Sequence, residues 1–171
     1  FINCAGLQSD RIAHLFGLGN DFRLIPFKGL YWKIKESSNF KIKSNIYPVP
    51  DLNVPFLGVH FTPSAEEKPI ISIGPTATPA LGRENYKTFE SIEPINSINN
   101  LFLLSKQYLL NQNGFRKYAQ EQLLLSLFPL MLKSAQELIP SIRANDIEPS
   151  DKVGIRSQLF NLQKQKLEDD F

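Results

Sequence analysis

Hydrophobic and polar positions change their period twice along the chain. Across residues 24–35 the aromatic and β-branched residues Phe27, Tyr31, Trp32 and Ile34 favour an extended strand, interrupted at Gly29. Residues 45–50, 56–63 and 70–74 read as three further strands, separated by Pro, Asp and Asn turns, so an antiparallel sheet is expected. Then the period becomes helical. Leu101, Leu104, Tyr108 and Leu109 recur at helical spacing, and residues 115–138 run with few breakers. Pro129 inside that run removes a backbone donor and clashes one turn back, which predicts a kink or a restart. Strand character returns at 153–162 and 166–171 as a hairpin. Ahead of the first strand, residues 1–6 read as a strand end with a glycine turn. There Ser9 or Asp10 is placed to cap a short helix to about Phe16, stopped by Gly17 and Gly19. The sum is an α+β fold, a mixed or antiparallel sheet covered by helices.

Composition narrows the classes of function. At 171 residues, 42% hydrophobic and 21% charged, the chain has the size and apolar content of one folded domain. A net charge of +2, without a basic run interleaved by aromatics, removes nucleic acid as a leading partner. The single cysteine, Cys4, forbids an internal disulfide and a cysteine-based zinc cage, which suits a reducing, cytoplasmic setting. No stretch approaches the ~20 apolar residues of a membrane span, although contact with a membrane surface stays open. A start at Phe1 running straight into a strand end, and an apolar last residue, suggest an internal fragment.

No G-x-G-x-x-G, G-x-x-x-x-G-K-[ST], H-E-x-x-H or G-x-S-x-G occurs, so no generic phosphate cradle, zinc site or nucleophile elbow stands whole. Less generic constellations remain. Asn3, Ala5 and Gly6 sit in a run of small residues that lets a backbone pass close to a cofactor, although by residue type alone a plain strand-to-helix turn is the better reading. Gly29 marks either a bulge or a close approach to a ligand. Tyr47 and His60 flank a proline-rich connection that restricts how they are held. Histidine changes charge near neutral pH, so His60 suits a general base that takes a hydroxyl proton; a hydrogen bond within the sheet is its plain alternative. Arg156 and Gln158 share one face of a strand, and an arginine fork binds a carboxylate through two parallel hydrogen bonds. Lys28 and Tyr31 offer a second positive group and a phenol. No cluster suggests a metal.

These blocks, in order, resemble the L-2-hydroxyglutarate oxidase/dehydrogenase family, a branch of the D-amino-acid-oxidase-like flavoenzymes. The residues that carry it are INCAGLQSDRIA (2–13), IPFKGLYWKI (25–34), IYPVPDLNVPFLGVHFT (46–62), IGPTATPAL (73–81) and IRANDIEPSDKVGIRSQ (142–158). The resemblance implies a two-domain FAD-dependent enzyme that oxidises a small 2-hydroxy acid, L-2-hydroxyglutarate to 2-oxoglutarate, by hydride transfer to the flavin. It implies that 1–20 close an FAD-binding domain, 21–150 form the substrate domain, and 151–171 return towards the FAD-binding domain. By the same resemblance Asn3, Ala5, Gly6 and Gly29 lie near FAD. His60 is then the base, and Arg156, Tyr47, Lys28, Tyr31 and Gln158 surround the substrate, with lysine at 28 where many relatives carry arginine. Without the glycine-rich motif, the piece alone is expected to be colourless and inactive, dependent on FAD-binding segments outside it. A non-catalytic module that docks a partner through its helical layer is the competing reading. Exact substrate, electron acceptor and oligomeric state are not legible.

Overall fold

The computed structural model describes residues 2–49, 58–65 and 70–168. It is an α+β fold built on one antiparallel sheet. The strands are β1 (Phe22–Ile34), β2 (His60–Pro63), β3 (Ile71–Gly74), β4 (Thr78–Pro79), β5 (Ile147–Asn161) and β6 (Lys166–Leu167), in the order β2-β3-β1-β5-β6 with β4 beside β1. The central pair β1 and β5 runs in register from Phe22 opposite Asn161 to Ile34 opposite Ile147, with an irregularity between Leu30 and Trp32. Four helices complete it: α1 (Ser9–Leu15), α2 (Pro94–Leu110), α3 (Phe115–Leu124) and α4 (Phe128–Leu138).

Two apolar clusters draw on alternate positions of β1, and alternate positions of a strand face opposite ways. Ile25 and Phe27 pack with Phe160, Leu104 of α2, and Phe115 and Tyr118 of α3. Ile34 packs with Phe61, Ile73 and Ile142, and with Met131 and Ala135 of α4, while Trp32 meets Phe128 at a ring distance of 4.6 Å. Burying each large aliphatic side chain contributes about 1.5–3 kcal/mol, so these clusters fix which helix covers which part of the sheet.

Several local expectations change. Residues 45–49 form no strand; Ile46 makes only an isolated bridge to Phe61, because Pro48 denies the ladder a donor. Residues 50–57 and 169–171, which include parts of three expected strands, lie outside the described residues. Residues 2–5 are likewise not a strand, and Gly6, at φ +52°, opens a 3-10 turn. Neither Ser9 nor Asp10 caps α1, which starts after Gln8 without a side-chain cap. Asp10 is turned inward: its carboxylate accepts from the Leu24 and Arg11 amides and pairs with Arg83. Pro129 produces a restart, since it occupies the first turn of α4, where no backbone donor is needed. The return strand begins at Ile147, ahead of 153, and β4 had no counterpart in the sequence reading.

Helix α2 inverts the usual polarity. Ser97, Asn100, Leu104 and Gln107 are buried, whereas Ile95, Ile98, Phe102 and Leu109 are well exposed. Part of that polar face has specific partners: the Ser97 hydroxyl bonds the Leu81 carbonyl, and the Gln107 Oε1 accepts from the Leu167 amide, while the buried Asn100 Oδ1 has no partner among the described residues.

Candidate functional site

A cleft of about 250 Å³ lies over the middle of the central strand pair. Its floor is set by register: Gly29 faces Gly154, and Phe27 faces Arg156, across β1 and β5. Tyr31 and His60 border one end, the segment Pro75–Ala77 forms a wall, and Gln122 reaches in from α3.

The wall is fastened to β1 by backbone and side chain together. The Thr76 amide donates to the Leu30 carbonyl at 3.1 Å, and the Leu30 amide donates to the Thr76 hydroxyl at 3.2 Å. The Ala77 amide donates to Gln122 Oε1 at 3.1 Å, and the Ala80 amide to the Pro26 carbonyl at 2.9 Å. This approach is what Gly29 permits: a Cβ there would stand 2.6 Å from Pro75 Cβ and 3.1 Å from the Thr76 carbonyl oxygen. The close approach expected at Gly29 is therefore made by the protein's own wall. Gly154 is different, because a Cβ there would meet only the Tyr31 ring, at an ordinary 3.8 Å.

At the His60 end the geometry selects a tautomer. Nδ1 lies 3.0 Å from the Gly58 carbonyl oxygen, which can only accept, so Nδ1 carries the proton. In the neutral ring the lone pair then sits on Nε2. Tyr47 stacks on the imidazole with ring centroids 4.6 Å apart and planes tilted by 39°. Burial, reinforced by the neighbouring Tyr47, pushes the Tyr31 phenol above its ordinary value, so it stays neutral, and Lys152 Nζ lies 4.7 Å from that ring's centre. At the other end Arg156 acts on Tyr118: burial raises the Tyr118 hydroxyl, Arg156 opposes that rise and Glu121 adds to it.

Of the residues singled out in the sequence, Gly29, Tyr31, His60 and Arg156 border the cleft, and Tyr47 backs His60. Lys28 and Gln158 do not. Lys28 alternates away from the cleft beside β4. Gln158 shares the face of Arg156, but is fully buried and donates to the Glu168 carbonyl at 2.5 Å. Asn3, Ala5 and Gly6 form a separate turn, in which the Asn3 side chain bonds the Ser9 carbonyl and the Ala5 amide. Sequence reasoning missed Thr76, Ala77 and Gln122. Gln122 stands in a leucine-rich helical run, where nothing local distinguishes it from a solvated glutamine.

Among the described residues no group of three or more His, Cys, Asp or Glu side chains could hold a metal ion. Towards a flavin dinucleotide the Asn3–Gly6 turn is simply exposed: a Cβ on Gly6 would have nothing within 4 Å, so nothing in the turn itself hinders the approach of a large group. The sequence holds no glycine-rich phosphate motif, and no residue here is assigned to a pyrophosphate.

The family model of FAD dependent oxidoreductases matches residues 1–164. The chain belongs to that family. It is 38% identical over 160 residues to the mitochondrial L-2-hydroxyglutarate dehydrogenase of Caenorhabditis elegans, a match covering 94% of this chain and 36% of the relative. It is 35% identical over 168 residues to the mitochondrial L-2-hydroxyglutarate dehydrogenase of Homo sapiens, covering 98% of the chain and 35% of the relative. To the L-2-hydroxyglutarate dehydrogenase of Indibacter alkaliphilus it is 35% identical over 164 residues, 92% of the chain and 38% of the relative. The chain thus spans little more than a third of the length of these curated relatives.

Proposed function

We propose that this chain supplies the substrate side of an FAD-dependent oxidation of a small 2-hydroxy acid, with L-2-hydroxyglutarate as substrate and 2-oxoglutarate as product. The observation that carries the reading is the His60 Nδ1 to Gly58 bond, which leaves the basic Nε2 available in a cleft that also holds Arg156. The names of the relatives supply the substrate. His60 Nε2 takes the proton of the C2 hydroxyl, and Tyr47 stacked on the ring keeps the imidazole from turning. Arg156 pairs with a substrate carboxylate through its guanidinium fork. The Pro75–Ala77 wall and Tyr31 exclude water from the reacting carbon. Bound flavin supplies the hydride acceptor for the C2 hydrogen, completing a two-electron oxidation to the ketone. Within this reading Asn3, Ala5 and Gly6 stand on the cofactor side. The division at residues 20 and 150 separates cofactor-side from substrate-side segments, the FAD-binding segments of the whole protein completing the site.

Both animal relatives above carry "mitochondrial" in their names and the bacterial one does not, so the compartment follows the host cell in this reading. Among the described residues no helix is long and apolar enough to cross a membrane. The competing reading, a non-catalytic module docked through its helices, has the exposed apolar side of α2 in its favour. It gives no reason for His60, Tyr31 and Arg156 to share a cleft.

The test is anaerobic bleaching of the flavin by L-2-hydroxyglutarate in the full-length protein, beside a His60→Ala variant. Bleaching slowed by ~100-fold or more is expected, the usual contribution of a general base. A flavin indifferent to every 2-hydroxy acid would favour the docking module.

A further inference from the structure

Gln122 is more than nine-tenths buried, yet it borders the cleft. Only an oxygen can accept the Ala77 N–H, so the 3.1 Å contact fixes which way the amide faces. The Nε2 group, with two hydrogens, then has no protein partner among the described residues, on a side chain that borders the open volume. Tyr118, which feels the charge of Arg156, lies one turn before Gln122 on the same face of α3. Gln122 therefore belongs to the Arg156 end of the cleft.

His60 belongs to the other end. It lies on β2 and Arg156 on β5, and the order β2-β3-β1-β5 separates those strands by three spacings, about 14 Å in all. A ligand that meets both groups is elongated, with its carbinol near His60 and a negative charge near Arg156. A 2-hydroxy monoacid has nothing to offer that second end.

Resting on the functional reading above, we propose that Gln122 is a specificity residue. Its Nε2 donates to the distal carboxylate of a 2-hydroxy dicarboxylate, the same carboxylate whose charge Arg156 neutralises. The amide is held rigid by Ala77, so little ordering is required when the ligand arrives.

The experiment uses the full-length, FAD-loaded protein and compares Gln122→Glu with Gln122→Leu. Glutamate retains an oxygen for the Ala77 amide but replaces the donor with a negative group; leucine removes both. Two substrates of equal length are compared, L-2-hydroxyglutarate and L-2-hydroxyvalerate, which ends in a methyl group. Binding of glutarate, which cannot be oxidised at C2, is measured by calorimetry. Gln122→Glu is expected to raise KM for the diacid and Kd for glutarate by about tenfold or more, with kcat/KM for the monoacid held within roughly twofold. Its melting temperature should match the unaltered protein, whereas Gln122→Leu melts lower. Equal losses on both substrates, or unchanged glutarate affinity, would overturn the assignment. If the unaltered protein oxidises neither acid, the oxidase reading fails, and the glutarate titration still decides the role of Gln122.

Discussion

Arg83 and Asp10 form a bidentate ion pair in the interior, with Nη1 to Oδ1 at 2.5 Å and Nη2 to Oδ2 at 2.8 Å. The pair ties the start of α1 to the segment after β4, and Arg83 also donates to the Leu7 carbonyl. Burial alone would raise the Asp10 carboxyl. The Arg83 hydrogen bonds, the Leu24 amide and the arginine's charge outweigh it and hold the group below the ordinary carboxylate range. Removing one partner leaves the other charge buried, so Asp10→Asn is expected to destabilise by about 3–5 kcal/mol at neutral pH. The folded value is depressed, so this stability is present above the unfolded value near ~3.9 and disappears as pH falls through the folded value. Urea midpoints at pH 7 and pH 3 check it: the gap between wild type and Asp10→Asn should be smaller at pH 3 than at pH 7.

Two glycines opposite each other in the sheet should respond differently to the same methyl group. Gly29→Ala drives a Cβ into Pro75, and overpacking of this kind typically costs about 1–3 kcal/mol. Gly154→Ala finds only ordinary contact with Tyr31, so its unfolding midpoint should stay within about 0.5 kcal/mol of wild type. Thermal melts of the two variants decide the matter, and equal losses would show that the Pro75 wall yields easily.

The hydroxyl of Tyr118 is raised well above the ordinary phenol range by burial, with Arg156 working against that and Glu121 with it. A raised folded value means the stability it confers is complete below the unfolded value near ~10 and is lost as pH climbs towards the folded one. Wild-type stability should therefore fall between pH 9 and 11, and Tyr118→Phe should flatten that alkaline limb. Denaturation midpoints across this range, with an unaltered slope in the phenylalanine variant as the contrary result, test it.

Much of the sheet was legible because β1 is long and rich in aromatic and aliphatic residues, whereas the polar first half of β5 hid where that strand begins. The block around His60 also holds the ring that stacks on it, Tyr47, although Pro48 kept the flanking segment from pairing as a strand. Gln122 and Thr76 were out of reach, since their importance comes from partners 45 and 46 residues away, Ala77 and Leu30. Asp10 looked like a helix cap because its nearest neighbours suit one. Its actual role depends on Arg83, at a separation of 73 residues. In helix α2 the helical spacing was legible but the buried face was not: of the periodic residues Leu104 is buried, while Leu101 and Leu109 are exposed.

The cleft draws on residues 29, 31, 60, 76, 122, 154 and 156, and its opposing sides come from distant parts of the chain. Nothing resembling it exists before β2, β3, β1 and β5 are all in place, and pairings of such sequence separation form slowly. Ligand affinity is thus an all-or-none report on the assembled sheet. Any small molecule that fits this cleft will resist unfolding of the whole domain, and the protection will reach strands it never touches.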